Sequence, residues 1–400
     1  MEFDAVLCCG CGACANVCPT DAISWIKNDE GFSEPHIDQG ACVDCGLCRK
    51  VCPYETSHVG VDASPKVYAA LHRDLDVVMN SSSGGVFTAL SDHVLDQGGV
   101  VYGVAFDDAY EVRYVRASDR TARDAFRGSK YVQCDGEDMF SQVEKDLADG
   151  LLVMFTGTPC QVSGLKRYLQ VKKVPMGRLL TVDNICHGVA SPLVWDAYLA
   201  YIRSNVLRGS RIERLSMRSK QVSWQEQQMA CVTDAGDESA ALNHGASWNK
   251  LYQTTYAIRP SCSQCRYTSY DRVSDLTLAD YWNIENAKLN IDYAHGVNLV
   301  LVNTRAGEDL LDSCADLLQT AQSDKASCWQ VHLEKPLPLS AKRDRFWRDF
   351  GMDPQQAVKA YGKGSRLIDL ARKVTPVLRR VGLYSLAVRV FSAVRGTKKA

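Results

Sequence analysis

The chain has 400 residues, 46% of them hydrophobic and 23% charged, with 46 Lys and Arg against 47 Asp and Glu for a formal net charge of −1. That length suggests two or three domains, and that apolar content fills buried cores, so a disordered or low-complexity chain is excluded. No basic patch with interleaved aromatics is present, which argues against nucleic acid as a partner.

Nine of the seventeen cysteines lie before Pro53, in two near-copies of one spacing. Cys8, Cys11, Cys14 and Cys18-Pro19 read C-x2-C-x2-C-x3-C-P, and Cys42, Cys45, Cys48 and Cys52-Pro53 repeat it. Thiolates spaced this way on turns carrying Gly10, Gly12 and Gly46 wrap a cubane iron-sulfur core, because glycine lets backbone amides approach the sulfurs. The spacing is that of bacterial two-cluster ferredoxins, in which the fourth cysteine of each run serves the other cluster. Cys8, Cys11, Cys14 and Cys52 are therefore assigned to one 4Fe-4S cluster, and Cys42, Cys45, Cys48 and Cys18 to a second. Structural zinc usually takes two CxxC pairs, which the x3-C-P endings fit poorly. Cys9 fits neither cluster and stays unassigned. Thiolate-ligated clusters, with no apolar leader run ahead of Cys8, point to a reducing, cytoplasmic setting.

Between the cysteine runs, Ala22 to Trp25 and Phe32 to Ile37 read as short strands around an Asp29-Glu30-Gly31 turn. Residues 1–56 thus form a ferredoxin domain, and the polar stretch 57–65 reads as a linker. Lys66 to Leu71 reads as a strand. Ser82-Ser83-Gly84-Gly85 then opens an amphipathic helix through Val86, Leu90, Val94 and Leu95, a start that leaves amides free for an anion or serves as a plain N-cap. Val100 to Phe106 is a strong strand. An Arg-rich segment of mixed character follows, leading to Arg127-Gly128-Ser129-Lys130-Tyr131-Val132-Gln133 and a helix through Met139, Val143 and Leu147.

Leu151 to Phe155 is a buried strand that runs into Thr156-Gly157-Thr158-Pro159-Cys160-Gln161 at the start of a helix, the place where open α/β sheets put ligands. Leu179 to Ile185 repeats the pattern and delivers Cys186-His187-Gly188, with Ser191-Pro192 opening the next helix. Arg211 to Ala246 is polar and reads as a hairpin insertion. Cys262 and Cys265 precede a strand over Leu276 to Ala279; Val297 to Val302 is another strand, and Gly307 to Leu318 a helix. The alternation argues for an α/β domain. On residues alone, Cys160, Cys186, Cys262 and Cys265 ligate a further cluster, or divide into core thiols and a zinc site shared with a residue such as His187. Cys134, Cys231, Cys314 and Cys328 read as ordinary thiols.

Six ordered motifs carry a resemblance: Ser82 to Phe87, Gly128 to Gln133, Gly157 to Gln161, Cys186 to Gly188, Cys262 to Tyr267 and Asp275 to Trp282. Together they resemble the coenzyme F420 hydrogenase/dehydrogenase beta-subunit family, here with a fused two-cluster ferredoxin domain. The resemblance implies an α+β/α/β protein in which residues 66–335 form a flavin and iron-sulfur domain. It implies FAD held by the loops Ser82 to Gly85, Gly128 to Tyr131 and Thr156 to Thr158, and a third 4Fe-4S cluster on Cys160, Cys186, Cys262 and Cys265. A flavin takes up two electrons as hydride and releases them singly, so one-electron acceptors must lie close by. The implied activity moves electrons between a soluble hydride carrier, such as the deazaflavin F420, and the clusters.

Two catalytic candidates follow. Lys130 would set a positive charge against reduced flavin or form a surface ion pair, and His187 would gate a proton or hydrogen-bond its turn. Two other readings fit the same resemblance: an electron-transfer subunit that relays electrons to a partner enzyme, and a reductase of an organic substrate resembling 7-hydroxymethyl chlorophyll a reductase. Residues 336–400 read as a basic helical tail. From Arg366 onward nine Lys or Arg face the single Asp369, giving the tail about +8 and the rest of the chain about −9. Leu367, Leu370, Ala371, Val374, Val377 and Leu378 recur at helical spacing, so this segment either lies on an anionic membrane surface or an acidic partner or packs as a solvated helix on its own domain, and it is too short of apolar residues to span a bilayer.

Overall fold

The computed structural model describes residues 6–363 except 57–59, 62–63, 137, 208, 221–222, 226–227, 237 and 240–245. The amphipathic tail read over Leu367 to Val394 lies outside the described residues.

In the N-terminal domain, strands β1 (Ile23–Lys27) and β2 (Ser33–Ile37) form an antiparallel hairpin with Ile23 opposite Ile37. Short helices over Ala13–Asn16 and Leu47–Val51 follow Gly12 and Gly46, whose φ values of 91° and 71° lie in the left-handed region. Only glycine takes that turn without a Cβ penalty, and it lies inside each Cys-x-x-Cys step.

The main body is built on strands β3 (Lys66–His72), β4 (Val100–Phe106), β5 (Val112–Ala117), β6 (Val153–Gly157) and β7 (Leu179–Asn184). Strands β8 (Ile212–Ser219), β9 (Gln228–Thr233), β10 (Glu238–Ser239), β11 (Leu276–Asp280), β12 (Asn298–Val302) and β13 (Leu318–Ser323) complete the set. Eight of these form one sheet in the order β13-β3-β12-β11-β7-β6-β4-β5. Its centre, β11-β7-β6-β4, is parallel, while β5, β12 and β13 pair antiparallel. Strands covered on two faces read as unbroken apolar runs, as in Val153-Met154-Phe155.

One face, with Val101, Met154, Val182 and Leu276, is covered by the helices Val86–Asp96 and Arg305–Asp312. The other, with Val100, Tyr102, Val153 and Phe155, is covered by the helices Met139–Ala148 and Pro159–Lys172. The sheet is therefore mixed, and two of its strands differ from the sequence reading. Strand β5 lies in the Arg-rich segment of mixed character, to which the sequence assigns no element; it is an edge strand whose ends Val112 and Ala117 are buried while Arg116 pairs with Asp146 at 2.7 Å. The helix read over Gly307 to Leu318 stops at Asp312, and β13, which the sequence does not mark, starts at Leu318, the only deeply buried residue of the strand. Edge strands bury little, so their sequences lack the clear alternation of a half-buried strand.

The insertion read over Arg211 to Ala246 carries the antiparallel pair β8-β9, extended by β10. It packs with the helices Pro192–Asn205, Trp248–Gln253, Arg343–Met352 and Pro354–Tyr361 around Trp195, Tyr198, Trp248 and Phe346. Ser191 caps the first of these, accepting a hydrogen bond from the Val194 amide at 3.3 Å.

The ferredoxin domain is docked on the body by shared core. Cys11, Ala13, Val17 and Val51 pack into the same cluster as Phe140, Val162 and Leu165. At Gly164 an added Cβ would sit 2.9 Å from Cys11 Sγ, and at Gly12 one would sit 3.0 Å from the Gly136 carbonyl. Lys27 pairs with Asp135 at 2.8 Å, and Arg343 with Glu30.

Candidate functional site

The two cysteine runs line two separate cavities, and the fourth cysteine of each run lies with the first three of the other. Cys18, Cys42, Cys45 and Cys48 line one. Cys8, Cys11, Cys14 and Cys52 line the other. Backbone amides reach the sulfurs: Ala13 to Cys11, Ala15 to Cys14, Arg49 to Cys48, and Tyr54 and Glu55 to Cys52. Burial pushes the thiols of Cys14, Cys48 and Cys52 above their usual range. Four such thiolates can share one small cavity only around cationic metal, so these residues fit a 4Fe-4S core.

A larger cavity of about 410 Å³ opens at the C-terminal edge of β6, β7 and β11. Parallel strands end in step here, with Gly157 opposite Asp183, so the loops that follow converge on one crevice. Cys160 sits in the first turn of the helix capped by Thr158; the Gln161 side chain accepts a 2.9 Å bond from the Thr158 amide and closes that turn. Cys186 follows β7 and accepts a 3.3 Å bond from the Gly188 amide. Gly188 has φ 129°, and a Cβ there would stand 3.2 Å from Cys262 Cβ, so the two thiol-bearing loops touch. Cys262 and Cys265 lie on and just after a 3-10 turn, Pro260–Gln264, that is tied down by Arg272, whose guanidinium bonds the Tyr267 and Asn184 carbonyls and pairs with buried Asp183 at 3.0 Å.

Cys160, Cys186, Cys262 and Cys265 all line this cavity. Burial pushes Cys262 up to about 12 and Cys265 up to about 11. Among the described residues no three His, Cys, Asp or Glu stand close enough to share a single ion. Four thiolates around one zinc would lie about 3.8 Å apart at Zn–S bonds of about 2.3 Å, whereas thiolates on a cubane each take a different iron and spread wider. Four thiols brought to one cavity from three segments fit the donor set of a cluster.

Cys9 lines this cavity and the first ferredoxin cavity alike. Its thiol lies within hydrogen-bonding reach of Cys11 and Cys160. No spacing rule marks it, because its neighbour Cys160 is far away in sequence.

Of the expected flavin loops, Gly128, Ser129, Lys130, Tyr131, Thr156, Gly157 and Thr158 line the cavity. Ser82 lies in an adjoining groove with Ser129 and Lys130, and its hydroxyl accepts a 2.9 Å bond from the Ser129 amide. Ser83, Gly84 and Gly85 do not reach the cavity lining. The Ser83 hydroxyl donates to the Val297 carbonyl at 2.6 Å, and Asn298 Oδ1 accepts from the amides of Gly84 at 2.9 Å and Val86 at 3.3 Å. Those helix-start amides are capped from within the protein.

The Lys130 ammonium donates to the carbonyls of Ala125 at 2.7 Å and Arg127 at 3.2 Å, and burial pulls it down to about 7. His187 Nδ1 lies 3.0 Å from His332 Nε2, while its own Nε2 is buried without a partner. Burial, followed by the neighbouring His332, pulls His187 down to about 4, so it is neutral at neutral pH. An aromatic wall completes the lining: Tyr131 stacks on Tyr252 at 4.7 Å, and Trp282 on Trp224 at 5.7 Å. Arg218, from β8, lies over the Trp282 ring, donates to the Tyr131 hydroxyl at 3.1 Å and pairs with Asp280 at 2.7 Å. The hairpin thus contacts residues that line the cavity, although no motif in it signals that.

A ferredoxin-type domain docked on a mixed α/β body whose strand ends open on a thiol-lined cavity defines an iron-sulfur electron-transfer protein. The chain belongs to the coenzyme F420 hydrogenase/dehydrogenase beta-subunit family: residues 67–140 match the model of its N-terminal part and 151–325 that of its C terminus. Residues 7–56 match a 4Fe-4S dicluster domain. No curated protein matches the chain. Among solved structures, a chain of the F420-reducing [NiFe] hydrogenase complex from Methanosarcina barkeri is similar at 16% identity, covering 76% of this chain and 91% of that one with a TM-score of 0.44. No helix among the described residues is long and apolar enough to cross a membrane.

Proposed function

We propose that this chain is an iron-sulfur flavoprotein oxidoreductase that exchanges electrons between a soluble hydride carrier and a one-electron partner protein. The observation that carries the reading is the presence of three thiol-lined cavities, the largest sharing Cys9 with the first ferredoxin site. Two 4Fe-4S clusters are assigned to Cys8, Cys11, Cys14, Cys52 and to Cys42, Cys45, Cys48, Cys18, and a third to Cys160, Cys186, Cys262 and Cys265. The large cavity would hold FAD through Gly128 to Tyr131 and Thr156 to Thr158, with F420 or another flat organic molecule as its hydride partner. Bound there, a flavin supplies the conversion between a hydride and two single electrons.

The chain's own part is to bind, orient and exclude water. Tyr131, Tyr252 and Trp282 offer flat apolar faces for stacking. Arg218 fixes Tyr131 and Trp282 in place, and the neutral His187, aligned by His332, presents Nε2 as a hydrogen-bond donor or acceptor. Lys130, held at about 7, can give up or accept a proton near neutral pH. The second ferredoxin site is the one nearest solvent, with Cys45 exposed and Val43 62% exposed beside it, and suits exchange with a partner protein.

Iron, acid-labile sulfide and released flavin per chain, on protein purified without oxygen, test the reading. About twelve irons and one FAD are expected. About eight irons and no flavin would reduce the chain to a ferredoxin fused to a body without hydride chemistry.

A further inference from the structure

Arg259 stands between the first ferredoxin site and the large cavity. Its backbone belongs to the cavity: the Arg259 amide donates to the Val189 carbonyl and its carbonyl accepts from the Cys262 amide, each at 3.0 Å. Its side chain reaches the other site, although its charge also acts on Cys262: Nε donates to the Cys8 carbonyl at 2.5 Å, and Nη1 to the Ser33 carbonyl at 3.0 Å and to Gln133 Oε1 at 2.9 Å. The guanidinium lies over the Phe32 ring at 5.4 Å, and the residue is only 2% exposed.

All three acceptors are neutral, Nη2 is buried without a partner, and among the described residues no carboxylate pairs with this arginine. A guanidinium stays charged in proteins, and a buried charge without a counter-charge is strongly disfavoured. Thiolate-ligated clusters are net negative and gain one further negative charge on reduction, so they are the missing counter-charge. We propose that Arg259 is a positioning and electrostatic residue that holds the Cys8 loop against the Cys262 turn and favours the reduced form of the first ferredoxin cluster. The inference rests on the cluster assignment above.

The test is a potential, read by EPR on the full-length holoprotein poised with dithionite and mediators, after iron and sulfide have been counted. In fully loaded Arg259→Gln protein, the reduction equilibrium of the first cluster should fall at least tenfold, which is 59 mV for one electron. The second cluster should not move, because Arg259 touches none of its loops. Gln133→Glu, nearly isosteric and still an acceptor for Arg259, sets a carboxylate against the guanidinium; the first cluster should fall in the same direction. An Arg259→Gln protein that fails to load leaves the decision to Gln133→Glu. An unmoved first cluster in a loaded variant, or equal shifts in the two clusters, overturns the inference while leaving the cluster assignment standing. A wild-type protein without cluster signals overturns the assignment and the inference together.

Discussion

Gly164→Ala sets two effects of opposite sign against each other. In the interior of the helix Pro159–Lys172, replacing glycine by alanine favours the helix by about 1 kcal/mol. Against this, the new Cβ would lie 2.9 Å from Cys11 Sγ, 3.2 Å from Cys11 Cβ and 3.4 Å from Phe140 Cε2. Ordinary contact between such atoms is about 3.5 to 4.0 Å, so the neighbours must give by several tenths of an ångström. Cys11 is 8% exposed and packed among Ala13, Phe140, Val162 and Leu165, so its side chain has little room to yield, and none if its sulfur holds the proposed cluster. Overpacking costs about 1 to 3 kcal/mol, and two contacts this short on a buried neighbour put the cost in the upper part of that range, so the clash wins and the net loss is about 1 to 2 kcal/mol. Gly351, in the helix Arg343–Met352, has nothing within 4 Å of its Cβ position and serves as the control; Gly351→Ala should stabilise by up to about 1 kcal/mol. The assay is anaerobic urea unfolding followed by iron release to a chelator and by the EPR signal of the first cluster. A Gly164→Ala protein as stable as wild type, with an unaltered first-cluster signal, would refute the close docking of the ferredoxin domain on this helix.

Two further outcomes follow from the site. Cys18→Ser should abolish the cluster on Cys42, Cys45 and Cys48 and spare the first, and Cys52→Ser should do the converse; EPR of each variant decides, and loss of the same-run cluster would mean uncrossed ligation. Burial holds Lys130 at about 7 against an ordinary value of 10.5, so between those values the unfolded chain binds the extra proton and stability should rise with pH. The penalty is fully present below about 7, and the rise should vanish in Lys130→Met when unfolding is measured from pH 6 to 10.

The ferredoxin domain was legible because its information is local: cysteines three residues apart on glycine turns define a ligand geometry within a few residues. The central strands were legible for a related reason, since burial on two faces leaves an apolar run such as Leu151 to Phe155 or Val297 to Val302. Motif order alone also pointed to the family. Strands β5 and β13 were not legible, because an edge strand is held by backbone bonds to its neighbour, and its side chains need not record the pairing.

What the sequence determined by itself was the content of the site: the thiols, their spacing and the loops at strand ends. The tertiary structure decided the arrangement. It brought Cys160, Cys186, Cys262 and Cys265 from three segments to one cavity, put Cys9 between that cavity and the first ferredoxin site, turned Gly84 and Val86 toward Asn298, and buried Arg259 without a carboxylate. These contacts join residues far apart in the chain, and only packing, which no local spacing encodes, sets which of them meet.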